Sequence, residues 1–462
     1  MSENKNHKLP VFTAVSAKAW KQQIQYELMG ADYNEKMVRK TPGGIKVKPF
    51  YTSADLSQPP LFTNKTADAF HITFEIYANQ AQMSNKKALW CIEKGCSEII
   101  FLVQESVLEP VELLQGIPED TSVLIILKQP TEIQINLFTI YLNNKKCLKW
   151  NCVIDPLSHF FESGNWWQNE KTDLKWLVLL FKNLENPILY IDARRFQAAG
   201  ATNEHQLAYA LSHLTEYLLL LSDATLLYKI KKVFISLHVG QQYLLEISKL
   251  RAFDKLWKSI NKTFNLDLEY GLISQPGLID KTLFSSNTNL IRNSSALMAS
   301  VLGGASSLVC TPYDTIFKKS HAYSDRLSIN QALIIKHECG LDKLIDPISG
   351  SYAVEKLSID IAEKGLAYFK NIEAQGGLIL TLKNNSIQKN ISLQFESQLA
   401  QYKSNEKELI GANILPDIET LSLEKFPFIR IEKRKTTIAP LISKRFSMDW
   451  EIEAQKSVYE NK

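Results

Sequence analysis

From residue 70 onward, short apolar runs alternate with longer segments whose apolar positions recur every three to four residues. HITFEIYA (71–78), SEIIFLVQ (97–104), SVLIILK (122–128), NCVIDPL (151–157), ENPILYIDA (185–193), KVFISLHVG (232–240), LDLEYGLIS (266–274) and ASSLVCT (305–311) read as eight strands. Helical periodicity covers 83–96, 109–117, 169–183, 203–222, 243–262 and 288–302, and a block at 325–339 closes the series. This alternation predicts parallel pairing, and strands apolar on both faces are those covered by helices. Eight such units fit within 71–339, a span of the length that an α/β TIM (β/α)8 barrel occupies. A doubly wound sheet is the alternative. It usually carries a glycine-rich turn after its first strand, whereas here the turn is ANQAQMSN.

The ends of the chain have a different texture. Residues 13–30 read as an amphipathic helix with Trp20, Ile24, Leu28 and Met29 toward one side, and TPGGIKVKPFYT (41–52) as a turn followed by an extended segment. Residues 53–66 are polar and turn-rich. The expected organisation is an N-terminal helix and arm over 1–66, a barrel over 67–385, and a tail over 386–462. The tail holds a helix candidate near 390–404 and a stretch punctuated by Pro416, Pro427 and Pro440. Lys433, Arg434 and Lys435 read as a solvated face, in preference to a contact with another subunit.

Composition narrows the function classes. The 462 residues carry a formal net charge of +4 spread along the chain, which does not predict nucleic-acid binding. No run of about 18 apolar residues suggests a membrane span, and MSENKNHKLP lacks the apolar core of a signal peptide, so the expected location is cytoplasmic. The six cysteines form no Cys-x-x-Cys pair and read as free thiols. The eight histidines are scattered without metal-ligand spacing.

In a barrel, chemistry sits at the C-terminal ends of the strands. Asp192-Ala193-Arg194-Arg195-Phe196-Gln197 follows the fifth strand. Two arginines can grip a phosphate or carboxylate. A salt bridge to Asp192 or to a neighbouring subunit is the favoured reading, because no histidine or carboxylate cluster accompanies them. His238 follows the sixth strand and reads as structural. Ser274-Gln275-Pro276 and Cys310-Thr311 follow the seventh and eighth. Pairing Cys310 with His238 as a dyad requires choosing partners freely.

Five segments, in order, resemble the methylmalonyl-CoA mutase family over roughly residues 41–412. TPGGIKVKPFYT is similar to its TPEGI-x-VKPLYT arm, IDARRFQAAGATNEHQLAYAL (191–211) to its ISGYHMQEAGA block, and EISKLRAFDKLW (246–257) to its E-I-A-K-x-R-A helix. VLGGASSLVCTPYD (301–314) resembles a GGTQSLHTN-type run. The segment SDRLSINQALIIKHECGLDKLIDPISGSYAVEKL (324–357), followed by EAQGG (373–377), resembles the ARNTQ…QEESG, DPWGGSYYVE and E-x-x-GG elements. The resemblance implies a barrel along whose axis acyl-CoA threads. It also implies a separate C-terminal domain that holds adenosylcobalamin over the mouth.

The sequence departs from the catalytic pattern in one direction. Arg194-Arg195 stand where active chains carry Tyr-His, and that histidine is the family's polar contact near the substrate carbonyl. Gln197 is retained. The His-Cys-Gln-Thr run becomes Ile273-Ser274-Gln275-Pro276, and Gln and His of GGTQSLHTN become Ser306 and Val309. The RPWTIRQYAGF-like substrate segment and the Asp-x-His-x-x-Gly cobalamin signature have no counterpart. Arg194, Arg195, Gln197 and Gln275 are thus expected as vestigial substrate-channel positions, with no catalytic, cofactor or metal residue in this chain.

The resemblance therefore implies the shortened small (β) subunit of a heterodimer with the methylmalonyl-CoA mutase large (α) subunit. That partner would hold adenosylcobalamin, and the N-terminal arm would wrap it. Two alternatives stand. One is the substrate barrel of a split acyl-CoA mutase that borrows a small cobalamin-binding protein. The other is a free-standing acyl-CoA-binding regulatory barrel.

Overall fold

The computed structural model describes residues 15–56, 70–104, 108–416 and 434–460. Eight strands line a nearly closed parallel barrel. They are β1 (His71–Ala78), β2 (Glu98–Val103), β3 (Ser122–Leu127), β4 (Trp150–Val153), β5 (Leu189–Asp192), β6 (Lys232–Val239), β7 (Glu269–Pro276) and β8 (Ser307–Val309). Their lateral order is β4-β3-β2-β1-β8-β7-β6-β5, all parallel. Each strand expected from the sequence is present. β4, β5 and β8 are shorter than expected: Asp155-Pro156 already starts a helix, β5 begins only at Leu189, and the chain leaves the sheet after Val309.

Among the described residues no ladder joins β4 to β5. One carboxylate bridges that seam. Asp155 follows β4, and its Oδ2 accepts the backbone N–H of Asp192 on β5 at 2.8 Å. Its Oδ1 accepts from Ser158 N (3.0 Å), the Tyr217 hydroxyl (2.6 Å) and His213 Nε2 (2.9 Å). Asp155 thereby also caps the helix Pro156–Ser163. An ionised carboxylate only accepts, so His213 donates from Nε2.

Outside the barrel, two motifs far apart in sequence meet. Arg251, 5 % exposed on the helix Tyr243–Phe264, pairs with Asp346 (2.8 Å) and with Glu355 (2.6 Å) on the helix Tyr352–Ala374. The spacing of the R-A-x-x-x-L-W and DPISGSYAVE segments is thus tied by a buried ion triad.

The N-terminal region divides in two. The helix Ala17–Glu27 buries no residue; Trp20 stacks on Phe50 with ring centroids 4.5 Å apart, and Tyr26 and Met29 stand exposed. The following TPGGI turn docks on the barrel. Thr41 N–H donates to Ile45 O at 2.9 Å, Ile45 is buried, and Lys364 Nζ donates to Gly43 O at 2.6 Å. Gly44 is the constrained position: it adopts φ +78°, and a Cβ there would stand 2.9 Å from Lys364 Nζ, the group that holds the turn. Gly44→Ala should therefore loosen the turn while leaving the barrel folded. The expected result is faster proteolysis within 30–56, with a urea midpoint for the barrel close to that of the parent.

The described part of the tail follows the helical and extended reading. The helix near 390–404 spans Ser386–Lys403, and residues 434–460 pack on the barrel and end in the helix Met448–Glu460. Backbone N–H groups of Leu441, Lys444 and Phe446 donate to the carbonyls of Phe161, Ala198 and Ile279, each at 2.8 Å, so the tail crosses the ends of β4, β5 and β7. Arg434 is exposed but donates to Ser163 O at 2.8 Å, so it meets the barrel as well as solvent. Lys433 and most of the expected polar turn at 53–66 lie outside the described residues.

Barrel axis and mouth as the candidate functional site

Alternate residues of each strand point inward. At the bottom of the barrel Thr73 Oγ1 donates to Glu98 Oε2 at 2.6 Å. Above it a continuous apolar cluster fills the axis. Its members include Ile100 and Leu102 from β2, Leu124 and Ile126 from β3, Tyr190 from β5, Ile273 from β7 and Val309 from β8, with Phe234 of β6 packed against them. Phe234 reaches this place because Gly271 has no side chain; a Cβ there would lie 2.6 Å from the ring. Val309 stands in this cluster at the position where the sequence departs from a histidine.

A charged layer closes the top. Arg194, 8 % exposed, turns inward rather than toward solvent. Its Nε and Nη2 donate to Asp192 Oδ1 (2.8 Å) and Oδ2 (2.6 Å), and its Nη1 to Glu75 Oε2 (3.0 Å) and Gln275 Oε1 (2.6 Å). Lys128 Nζ lies 3.9 Å from Asp192. Burial alone would raise the Asp192 carboxyl, but the adjacent guanidinium outweighs it and holds the group well below the usual carboxylate range. One arginine thus links β1, β5 and β7 across the barrel.

The four positions expected as channel remnants separate. Arg194 and Gln275 meet in this layer. Arg195 points away from the axis; its Nε donates to Glu162 at 3.1 Å, and its Nη1 reaches Ser443 of the tail. Gln197 faces a side cavity instead. Glu75 and Lys128 were not foreseen as partners. Glu75 lies 119 residues before Arg194, and only the inward register of β1 could have suggested it.

His238 is buried beside this layer, its Nδ1 without a hydrogen-bond partner among the described residues. Burial and then Arg194 push its pKa down to about 3. A neutral, enclosed ring of this kind serves packing, and Cys310, whose thiol burial pushes up, forms no hydrogen bond with it. His205 is similarly lowered to about 4, by burial and then Lys364. Both folded values lie below the unfolded value of about 6.5, so the unfolded chain binds more protons through that window. Stability should fall as pH drops from about 6.5 toward 4, by about 1.4 kcal/mol per pH unit for each ring. Urea midpoints measured at pH 7.5, 6 and 5 check this, and a midpoint constant down to pH 5 would contradict it.

Among the described residues no group of three His, Cys, Asp or Glu is placed to hold a metal ion. No described helix is long and apolar enough to cross a membrane. The mouth does not fit the groups that the resemblance implies. An acyl chain threading the axis would meet Ile100, Leu124, Tyr190 and Phe234, and the chain's own tail lies across the rim where a cofactor domain would approach.

Comparison with known proteins places this geometry. The family model for methylmalonyl-CoA mutase matches residues 107–449. The chain is 25 % identical over 467 residues to the methylmalonyl-CoA mutase small subunit of Porphyromonas gingivalis, with 92 % of this chain and 74 % of that one aligned. It is 22 % identical to the small subunit of Propionibacterium freudenreichii subsp. shermanii, over 88 % of this chain and 68 % of that one. Against the methylmalonyl-CoA mutase of Rhizobium meliloti the identity is 28 %, covering 48 % of this chain but only 32 % of that protein.

Proposed function

Given that the chain belongs to the methylmalonyl-CoA mutase family, we propose that it is the non-catalytic small subunit of a heterodimeric mutase. In this reading the large subunit binds methylmalonyl-CoA and adenosylcobalamin and carries out the isomerisation to succinyl-CoA. This chain supplies a folded surface that holds its partner in an active arrangement.

The observation that carries the reading is the filled axis. A barrel that accepts acyl-CoA needs a continuous opening from rim to centre. Here the apolar cluster around Tyr190 and Phe234 occupies the centre, and the Arg194 layer closes the top. A protein interior packed to this degree does not open for a ligand without a large cost.

The N-terminal helix supports the partner. It buries nothing against its own barrel; Trp20 and Tyr26 on the helix, and Val15 and Met29 flanking it, face the outside, Met29 at 96 % exposure. Apolar side chains grouped on an extended element mark an interaction surface. An obligate heterodimer interface should bury more than about 2,000 Å² in total.

The test is a direct assay of the isolated full chain. Incubated with methylmalonyl-CoA and adenosylcobalamin, it should form no succinyl-CoA, and acyl-CoA should produce no binding heat by calorimetry. Turnover by the isolated chain would overturn the proposal. Turnover that appears on adding only a small cobalamin-binding protein would identify a split enzyme instead.

A further inference from the structure

Residues 310–321 link β8 to the helix Ala322–Leu333 at the C-terminal rim of the barrel. Asp314 in this loop is 1 % exposed, and its Oδ2 lies 2.7 Å from His321 Nε2. Its own turn holds it in place: the N–H groups of Phe317 and Lys318 donate to Asp314 O at 3.0 and 2.8 Å. A carboxylate only accepts, so Nε2 carries the ring proton and the lone pair of the neutral ring sits on Nδ1. Nδ1 makes no hydrogen bond among the described residues and is not enclosed, the His321 side chain being 40 % exposed. The imidazole is thus fixed in one tautomer, with its nucleophilic nitrogen open to solvent.

Two other histidines show the halves of this arrangement separately. His213 has an aspartate on Nε2 but is fully buried, Nδ1 included. His337 is exposed, yet no carboxylate pairs with it among the described residues.

The surroundings of His321 suit a dianion. His321 is the N-cap residue of the helix Ala322–Leu333, a helix of 12 residues whose N-terminus no side chain caps. Lys318 and Lys319 before it and Arg326 after it are exposed. The acidic residue of the first turn, Asp325, is already paired with Lys87 and accepts from Ser320 Oγ at 2.6 Å. Free N–H groups at a helix start and nearby cations both favour a phosphate-like group.

We propose that His321 is a phosphoryl-accepting residue, which takes a phosphoryl group onto Nδ1 from a small acyl phosphate. The Nδ1 lone pair forms the N–P bond while the P–O bond to the acyl group breaks, and the acyl group leaves as a carboxylate with that electron pair. Nothing is oxidised or reduced, and Nε2 keeps its proton. The ring becomes cationic in this step. Asp314 beside Nε2–H stabilises that charge, as the aspartate of a Ser-His-Asp triad does for its histidine. The N–P bond of a phosphorylated imidazole is labile, so the donor is a mixed anhydride rather than an ordinary phosphate ester. The inference does not rest on the subunit role.

The test is incubation of the full chain with acetyl phosphate at neutral pH, followed by phosphorus NMR and peptide mass mapping. His321 should carry a phosphoryl group linked through Nδ1, while the exposed His337 is labelled far more slowly. A free imidazole side chain favours the less hindered Nε2, so an Nδ1 link reports the hold of Asp314 on the other nitrogen. Asp314→Asn should slow labelling of His321 at least about tenfold, and His321→Gln should abolish it. If Asp314→Asn fails to fold, the linkage and the rate relative to His337 in the parent protein decide. No label on His321, an Nε2-linked product, equal labelling of His337, or full-rate labelling of a folded Asp314→Asn protein would overturn the proposal.

Discussion

Asp155→Ala is expected to destabilise the barrel by about 4 kcal/mol or more, measured as a fall in the urea midpoint. Four donors lose their acceptor at once: Ser158 N–H, Asp192 N–H, the Tyr217 hydroxyl and His213 Nε2–H. His213 is fully enclosed, Tyr217 lies among the largest fully buried side chains, and a single trapped water accepts at most two of these four hydrogen bonds. Each buried donor left unpaired costs about 1–3 kcal/mol. The seam also loses its link between β4 and β5, since no ladder joins them in the described residues. Asp155→Asn keeps the shape but directs an NH2 group at some of these donors, so it should fall between the parent and the alanine variant. Equal midpoints for parent and Asp155→Ala would mean that the seam is held by something else.

Arg194→Met should cost about 3–5 kcal/mol, because it leaves Asp192 and Glu75 buried without their shared cation. Lys128, 3.9 Å from Asp192, compensates only in part. Adding Glu75→Gln to Arg194→Met removes one of the stranded charges and should recover at least about 1 kcal/mol, a coupling that distant sites do not show. The double variant carries a second expectation. Removing the arginine that spans the mouth leaves the apolar cluster below it intact, so acyl-CoA should still not bind. Acyl-CoA binding gained by this variant would place the block at the mouth rather than along the axis.

The barrel was legible in the sequence because its strands are continuous apolar runs between helix-period segments, from HITFEIYA to ASSLVCT. Other elements were hidden for physical reasons. The helix Glu132–Lys145 has apolar residues on nearly all sides, with Ile133 and Ile140 exposed while Ile135 and Phe138 are buried, so no single face announces it. The helix Tyr352–Ala374 was obscured by the Pro-Ile-Ser-Gly turn (347–350) that precedes it. Where the tail runs was not legible, because residues 434–460 are placed by barrel carbonyls at Phe161, Ala198 and Ile279 that local sequence does not encode.

The site was legible in part. Asp192 two residues before Arg194 made the ion pair a natural expectation, and the pair is present. The other partners of Arg194 are set by strand register across the barrel, which alternation along one strand does not reveal. Gln197 illustrates the same limit. Its sequence neighbours group it with Arg194, but the short helix Arg194–Ala199 turns the two side chains to different places: Arg194 into the axis and Gln197 toward the side cavity.

The most direct measurement is purification of the tagged full chain from its own cells, with bound protein identified and weighed by native mass spectrometry. The account predicts a one-to-one complex with a large mutase chain that carries adenosylcobalamin, and mutase turnover only in that complex. A stable monomer without a partner, or an isolated chain that isomerises methylmalonyl-CoA, would contradict it.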